Sequence, residues 1–292
     1  MVFQDLKQFA LAIWADESNR GQRLRRLVTA GGWQGWKRIA QKPLTTRLFN
    51  GKLFRAYPDC VTSSGAFYFR IPNSKPIEFM RSHIAGGTLV DVGANVGLVS
   101  LLFADKLNHA LLFEPNPTAA LRARENIKLN RLDFEVHQMA LSDQTGSVQF
   151  ENRGGVSAVN RTVSGFDATF PTIEVSCSTF DDFLKSHKQP RDQPWYVKID
   201  VEGHENSVLR GMQNFLQNQR PRLVMFEYLQ RTDLQETFRI FDSVGYRVIV
   251  LNDDGKPKWA EPTVAPLQDL FACPKELGPQ LVPEPTSRRS SD

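Results

Sequence analysis

Short apolar runs alternate with amphipathic stretches along most of this chain, and the run at residues 88–92 is the centre of the pattern. It reads Thr-Leu-Val-Asp-Val, which is the composition of a buried parallel strand. Gly93 and Gly97 frame the turn that follows, and apolar residues at positions 98, 99, 101 and 102 then recur at helical spacing. The stretch therefore predicts a strand, a tight turn and the start of a helix.

Further strand and helix patterns follow in alternation. Strands are predicted at residues 110–113, 134–143, 195–200 and 223–226, with a closing antiparallel pair at 246–251 and 270–273. Residues 144–180 break the alternation, with half-exposed strands at 147–150 and 173–177 and a polar loop at 152–166. The pattern predicts an α/β fold in which helices cover both faces of a parallel sheet and ligands bind beyond the carboxyl ends of the strands.

The first 78 residues have a different pattern. Apolar residues at helical spacing predict an amphipathic helix over residues 2–15, followed by an arginine cluster at 20–26 and a Gly-Trp-rich run at 31–36. Two interpretations stay open: peripheral contact with an anionic membrane or polymer, or a helix that docks its apolar face on the main domain. We favour docking, because most amphipathic helices face a core.

Local signals predict where several elements begin and end. Asn50-Gly51 suits a type I′ hairpin turn between strands, and residues 67–71 are typical of a further strand. Pro76 marks the start of a short helix. Thr232 and Gln235 fit a capping box, and Gly245 is expected to end the helix that it opens.

Composition and charge narrow the class of protein. The chain has 292 residues, of which 41% are hydrophobic and 23% charged, as in an ordinary globular protein. It has no uninterrupted run of 18 apolar residues and no apolar core of a secretory signal, so we expect a cytoplasmic protein. The three cysteines are far apart in sequence, which favours neither a disulfide framework nor a metal site. Residues 1–60 hold eleven Lys and Arg against four Asp and Glu, so the net charge of +4 originates in this segment.

The glycine turn carries the first chemical signal. Its spacing, D-x-G-x-N-x-G from Asp91 to Gly97, departs from the dinucleotide fingerprint G-x-G-x-x-G because Asn95 stands where the second glycine would be. Glu114 ends the next strand, 23 residues after Asp91, where a carboxylate can accept both hydroxyls of a ribose. The alternative is that Glu114 is a surface acid before a proline-rich turn. Asp91 either organises the turn or faces a cationic ligand.

A second cluster follows the strand at 195–200. Asp200, Glu202 and His204 lie within five residues, and carboxylates or imidazoles at such a strand end can act as general bases. We rank Asp200 first, Glu202 second and His204 third, because a strand end is held more rigidly than a turn. Glu205 is expected to stabilise the following helix N-terminus instead.

Four blocks together resemble the FkbM-type S-adenosylmethionine-dependent methyltransferases. The blocks are residues 91–97, 113–117, 140–143 and 198–205, in that order within residues 78–275. The resemblance implies a class I methyltransferase fold, a Rossmann-like sheet of seven strands with the last antiparallel. It also implies that S-adenosylmethionine is the cofactor and that the acceptors are hydroxyl groups of sugars, polyketides and other metabolites.

The resemblance assigns roles to individual residues. Gly93, Asn95 and Gly97 would cradle the methionine part, Glu114 would hold the ribose, and Ala140, Leu141 and Ser142 would approach the adenine. We place Asp91 and Asn116 beside them among the cofactor contacts. The family varies at the position of His204, which weakens that residue as an essential base.

The acceptor and the domain plan are predicted more coarsely. Neither an Asn/Asp-Pro-Pro-Tyr/Phe motif nor a Pro-Cys pair follows the strand at 195–200, so we expect an oxygen acceptor on a small molecule or glycan, without nucleic acid and without a metal. The domains are predicted as a basic extension (1–78), a methyltransferase domain (79–275) and a disordered tail (276–292). The alternative function is a non-catalytic protein that binds an anionic partner through its basic extension, and an NAD enzyme is third.

Overall fold

The architecture follows the alternation of strands and helices along the chain. The computed structural model describes residues 2–151, 162–163, 170–187, 193–229, 232–262 and 269–282. Its strands are β1 (Leu44–Arg47), β2 (Leu53–Ala56), β3 (Thr88–Val92), β4 (His109–Phe113), β5 (Phe134–His137), β6 (Ala140–Leu141), β7 (Gly146–Glu151), β8 (Thr162–Val163), β9 (Thr172–Ser178), β10 (Trp195–Ile199), β11 (Leu223–Glu227), β12 (Tyr246–Leu251), β13 (Pro257–Trp259) and β14 (Asp269–Pro274). Its α-helices are α1 (Val2–Ala15), α2 (Arg23–Ile39), α3 (Val61–Tyr68), α4 (Ser74–His83), α5 (Leu98–Phe103), α6 (Pro117–Leu129), α7 (Phe180–Ser186), α8 (Glu205–Arg210), α9 (Gln213–Asn218), α10 (Leu234–Ser243) and α11 (Gly278–Leu281).

One eight-stranded sheet organises the molecule, in the order β13-β12-β14-β11-β10-β3-β4-β5. Strands β5, β4, β3, β10 and β11 are parallel, whereas β14 is antiparallel to both of its neighbours. The predicted α/β fold with a reversed last strand is therefore confirmed, and β13 adds an edge strand to the expected seven. From β3 the chain runs outward to β4 on one side and later to β10 on the other, so the carboxyl ends of β3 and β10 form a switch point, where open sheets bind ligands.

Apolar side chains on both faces of the central strands form two core clusters. Leu89 and Leu112 belong to a cluster that includes residues of α4, α5 and α6, and Val90 and Phe113 to one that includes α7 to α10. All five residues of β3 and all five of β10 are buried. The central strands are thus covered on both faces.

A small second sheet, in the order β6-β9-β7-β8, accounts for the break in the pattern at residues 144–180. The single strand predicted at 134–143 is wrong, because β5 joins the main sheet and β6 pairs with β9 of the small one. The predicted loop at 152–166 contains the strand β8, and the remainder of that loop lies outside the described residues.

The N-terminal segment packs on the main domain, as the favoured interpretation expects. Ile13 of α1 and Trp33 of α2 are buried in the same core cluster as Leu89. The predicted boundary at residue 78 falls inside α4. The strand predicted at 67–71 is wrong, because Phe67 lies in α3 and its ring stacks on Trp33 at 4.3 Å.

Several predicted element ends differ in detail. The hairpin forms, but only Gly51 of the Asn50-Gly51 pair has a positive φ, so the turn is not type I′; Asn50 instead donates to the carbonyl oxygen of Leu101. The N-cap of α10 is Asp233, whose side chain accepts from the Glu236 amide, so the helix is capped one residue later than predicted.

The C-terminal part of the chain agrees with one prediction, the helix end at Gly245, and contradicts another, the disordered tail. Gly245 follows the end of α10 with a φ of 76°, as expected. The predicted tail is wrong for residues 276–282, because Gly278–Leu281 is helical and Leu281 is buried. Residues 283–292 lie outside the described part of the chain.

Candidate active site

A cavity of about 280 Å³ opens at the carboxyl ends of β3, β4, β10 and β11. Small-molecule sites span about 300–1,000 Å³, so this cavity is close to the lower end of that range. Its walls come from the turn after β3, the end of β4, the link between β5 and β6, and the turn after β10. The switch point of the sheet is therefore where the candidate site lies.

The glycine turn forms the floor of the cavity. Gly93 has a φ of 76°, and a Cβ added to it would lie 1.9 Å from the carbonyl oxygen of Asp200. Only glycine allows the turns after β3 and β10 to approach this closely. Asn95, with a φ of 51°, donates its backbone N–H to Glu114, and its side chain accepts from the Val96 amide.

Glu114 lies at the end of β4 with both carboxylate oxygens held. Its Oε2 accepts from the Asn95 amide and its Oε1 from the Asn116 amide, each at 2.8 Å. Burial raises the pKa of Glu114 to about 7, although these two amides and Lys198 act in the opposite direction. Carboxylate oxygens have further lone pairs, so Glu114 can still accept hydrogen bonds from a ligand in the cavity. Glu114 is therefore not a surface acid, because its side chain is buried and accepts two backbone hydrogen bonds.

Asn116 and the residues after β5 also line the cavity. The Asn116 side chain accepts from the Thr118 and Ala119 amides and thereby caps α6. The same cavity has an apolar wall, which consists of Phe113, Met139, Ala140, Leu141 and Phe150. A flat apolar ring can be buried against such a wall without leaving a polar group unpaired.

Lys198 is the residue that the sequence analysis missed. Its Nζ donates to the Gly93 carbonyl oxygen at 2.8 Å and lies 3.2 Å from Asp91 Oδ1 and 3.4 Å from Asp200 Oδ2. Burial alone would lower the pKa of Lys198, but Asp200 and Asp91 raise it, so the ammonium stays charged. The signal was available, because a lysine within the otherwise apolar strand β10 must have a charged partner.

Three carboxylates lie together on the acidic side of the cavity. The carboxylate oxygens of Asp200, Glu202 and Glu227 are within 4.8 Å of one another. Burial raises the pKa of Glu227 to about 8, with Asp200, Glu202, Glu205 and Asp269 adding to the shift. Oxygen atoms at this spacing suit a cationic group, either an organic cation or a hard metal ion. The expectation that no metal is used stays a prediction.

Eight of the twelve predicted site residues line this cavity, and four do not. Those that line it are Gly93, Asn95, Glu114, Asn116, Ala140, Leu141, Asp200 and Glu202. Asp91 is buried within β3, where it bonds Ser100 and pairs with Lys198. Gly97 begins α5 and lies against Ala123 of α6.

Ser142 and His204 bond each other outside the cavity. The Ser142 hydroxyl and His204 Nε2 are 2.9 Å apart, and burial lowers the pKa of His204. As the described residues form the site, neither side chain reaches its interior. Glu205 lies in the first turn of α8, as expected, and in addition accepts from the Val201 and Gly203 amides of the preceding turn.

The residues of the cavity fit S-adenosylmethionine, the cofactor that the resemblance implies. Glu114 offers acceptors for a ribose diol, and the apolar wall suits an adenine ring. Asp200 and Glu202 line the same cavity, and their carboxylates suit an ammonium and a sulfonium because opposite charges attract. The donor and acceptor set therefore matches the three parts of that molecule.

Comparison with known proteins agrees with this interpretation. The Methyltransferase FkbM domain family matches residues 91–248 of the chain. The chain is 33% identical over 130 residues to the hexuronic acid methyltransferase AglP of Haloferax volcanii, a match that spans 44% of this chain and 52% of AglP. It is 24% identical over 194 residues to Methyltransferase 1 of Beauveria bassiana, over 60% of this chain and 76% of that protein.

A solved structure is also similar. The FkbM methyltransferase of Methylobacillus flagellatus aligns over 64% of this chain and 43% of its own, with 16% identity and a TM-score of 0.43. In the described part of the present chain, none of the helices is both long and apolar enough to cross a membrane. The predicted cytoplasmic location and peripheral membrane contact stay predictions.

Proposed function

The chain belongs to the FkbM methyltransferase family, and we propose that it transfers a methyl group from S-adenosylmethionine to a hydroxyl oxygen of a sugar-type acceptor. The observation that carries the proposal is that Glu114 and Asp200, which end or follow the two strands next to β3, line one cavity at the switch point. The first residue suits the nucleoside half of the cofactor and the second the reacting half.

Binding is the first task of these residues. Glu114 would accept the ribose hydroxyls, the apolar wall would cover the adenine, and the turn from Gly93 to Asn95 would hold the methionine end. When bound, the sulfonium supplies an already activated methyl group. The protein therefore has to orient the acceptor oxygen in line with the methyl group, and this orientation gives most of the rate.

Removal of the hydroxyl proton is the second task, and Asp200 is the proposed base. Lys198 pairs with Asp200 at 3.4 Å and so holds its carboxylate beside the glycine turn. Glu202 and Glu227 lie on the same side of the cavity. Because its pKa is about 8, Glu227 retains a proton at neutral pH and can donate a hydrogen bond to the acceptor. Glu227 is thus a proposed positioning residue that the sequence analysis did not select.

The carboxylates on the acidic side of the cavity, which we call the acidic wall, restrict the kind of acceptor that can bind. The matched relative is named for a hexuronic acid, an acceptor that carries its own carboxylate. Asp200 and Glu202 would repel a carboxylate at the reacting end, because like charges that lie close together disfavour each other. We therefore propose that the reacting group is a neutral hydroxyl, with any acidic group of the sugar turned away from this wall.

An acceptor screen tests the proposal. The full chain is incubated with S-adenosylmethionine and with glycosides of neutral hexoses and of hexuronic acids, and formation of S-adenosylhomocysteine is followed. We expect turnover with a sugar hydroxyl and a large loss of turnover in Asp200→Asn. A protein that binds the cofactor but transfers methyl to none of these acceptors would favour the non-catalytic alternative, in which the basic extension binds an anionic partner.

A further inference from the structure

A cluster of three imidazoles around one carboxylate lies at the edge of the main sheet, apart from the cavity. Glu135 and His137 project from the same face of the edge strand β5, since they are two residues apart. His109 comes from the neighbouring strand β4, and His187 directly follows α7. Of the five histidines in the chain, three therefore meet at a single glutamate.

The separations between these atoms match those of metal ligands. His137 Nε2 lies 3.5 Å, and His187 Nε2 3.3 Å, from Glu135 Oε2. One ligand atom from each of the three residues lies within 4.8 Å of the others. Around a tetrahedral zinc ion, with bonds of about 2.0–2.2 Å, neighbouring ligand atoms are about 3.3–3.5 Å apart.

His109 adds a third imidazole beside the same carboxylate. Its Nδ1 contacts the backbone carbonyl oxygen of Asp133, which only accepts, so Nδ1 carries a proton. Its Nε2 lies 3.3 Å from Glu135 Oε1. A Nδ1–H bond to a carbonyl is also the usual partner of a metal-binding imidazole.

The other two rings are held in place before any ion arrives. The His137 ring stacks on Phe113 at 5.1 Å, and the His187 ring stacks on Phe183 at 4.7 Å. The Nε2 atom of His137 is buried and makes no hydrogen bond within the described part of the chain. Ligands that packing fixes in this way lose little freedom when they bind.

We propose that Glu135, His137 and His187 bind a divalent transition-metal ion of the zinc class, with His109 positioning the Glu135 carboxylate. Two imidazole nitrogens and one carboxylate oxygen suit zinc, whereas magnesium and calcium prefer oxygen ligands alone. The ion would join the edge strand β5 to the end of α7. This inference goes beyond methyl transfer and does not depend on it.

Zinc titration of the metal-free protein tests the site. The full chain is treated with a chelator, dialysed and titrated with zinc chloride in a calorimeter, and its melting temperature is measured with and without zinc. We expect one zinc ion per chain and a higher melting temperature, because an ion that binds the native state stabilises it. Magnesium chloride should do neither.

Variants separate this site from adventitious binding. His109→Gln should weaken zinc binding by about 10–100-fold, the usual effect of losing a partner of a ligand. His187→Gln and Glu135→Gln should weaken it further, and the matched control His83→Gln, an imidazole outside the cluster, should bind zinc as the wild type does. Absence of zinc binding, or equal binding by the wild type and His187→Gln, would overturn the proposal. Neither result would affect the methyltransferase proposal, because none of these four residues lines the cavity.

Discussion

Carboxylates at the carboxyl edge of this sheet differ in role because they differ in partners. Asp91 is fully buried and bonds Ser100 and Lys198, so it serves the fold. Glu114 is held by two amides and still faces the cavity. Asp200 shares Lys198 with Asp91, and 43% of its side chain is exposed, so a ligand can reach it. Residue type alone would not separate these roles.

Substitution of the proposed base should separate Asp200 from His204. We predict that Asp200→Asn lowers the rate of methyl transfer by about 10²–10⁴-fold, because a positioned base is lost. Cofactor affinity should change far less, since Glu114 and the apolar wall are intact. His204→Ala should cost about tenfold or less on the same scale, because its imidazole bonds Ser142 outside the cavity. Single-turnover rates with an identified acceptor measure both, and a disabled His204→Ala beside an active Asp200→Asn reverses the assignment.

Glu227 should make stability depend on pH. Its pKa of about 8 in the folded protein exceeds the value of about 4.3 for an unfolded chain, so the folded state holds this proton more tightly. The resulting stability is full below the unfolded pKa and is lost as the pH rises towards and through about 8. We predict that the melting temperature of Glu227→Gln, relative to the wild type, rises between pH 6.5 and pH 8.5. A difference that stays constant over this range would show that Glu227 does not titrate there.

The N-terminal helices are part of the core at the scale of elements. Trp33 of α2 is 1% exposed, stacks on Phe67 of α3 and donates to the Ser64 hydroxyl at 3.0 Å. Exposed apolar residues on the outer side of these helices include Leu24 and Val28, at 71% and 74%. Docking on the main domain therefore accounts for the inner face of these helices. Peripheral contact with a membrane or polymer would concern their outer face and stays a prediction.

Truncation of Trp33 should measure that docking. We predict that Trp33→Ala lowers the free energy of unfolding by about 3–5 kcal/mol, as the loss of a buried aromatic side chain usually does. Trp36→Ala is the matched control and should cost less, since Trp36 on the same helix is 39% exposed. Denaturant unfolding followed by circular dichroism gives both values. Equal losses in the two variants would mean that the buried face of α2 does not stabilise the molecule.

Elements with a strong local signal were predictable from the sequence, and those set by distant contacts were not. The run at residues 88–92 and the glycines after it carry their own strand and turn pattern, and β3 lies where predicted. Phe67 to Ile71 alternate like a strand, yet α3 contains Phe67 because Trp33, 34 residues earlier, covers its ring. The break between β5 and β6 likewise depends on β9, which pairs with β6.

At the scale of the whole molecule, the topology of the sheet explains most of the candidate site. The sequence predicts Glu114 and Asp200 at the ends of two different strands. They line one cavity because those strands, β4 and β10, are the two neighbours of β3 in the sheet. The sequence pattern could not predict the direction of a side chain after the strand end. His204 is four residues from Asp200, but it points to Ser142. Lys198 had a visible signal, whereas its bonds to Gly93, Asp91 and Asp200 depend on strand pairing.

The central claim is that the cavity binds S-adenosylmethionine through Glu114, and calorimetric titration with S-adenosylhomocysteine from pH 6 to pH 8.5 tests it most directly. Ribose hydroxyls donate to the ionised carboxylate, so we predict one ligand per chain and an affinity that rises about tenfold in all between pH 6 and pH 8.5 and levels off above the pKa of about 7. Glu114→Gln should bind more weakly by about 1.5–3 kcal/mol at pH 8 and should lose this pH dependence. We choose glutamine because its single oxygen keeps an acceptor for one of the Asn95 and Asn116 amides, whereas alanine would leave both without one. Binding of NADH without binding of S-adenosylhomocysteine, or an unchanged affinity in Glu114→Gln, would contradict the account.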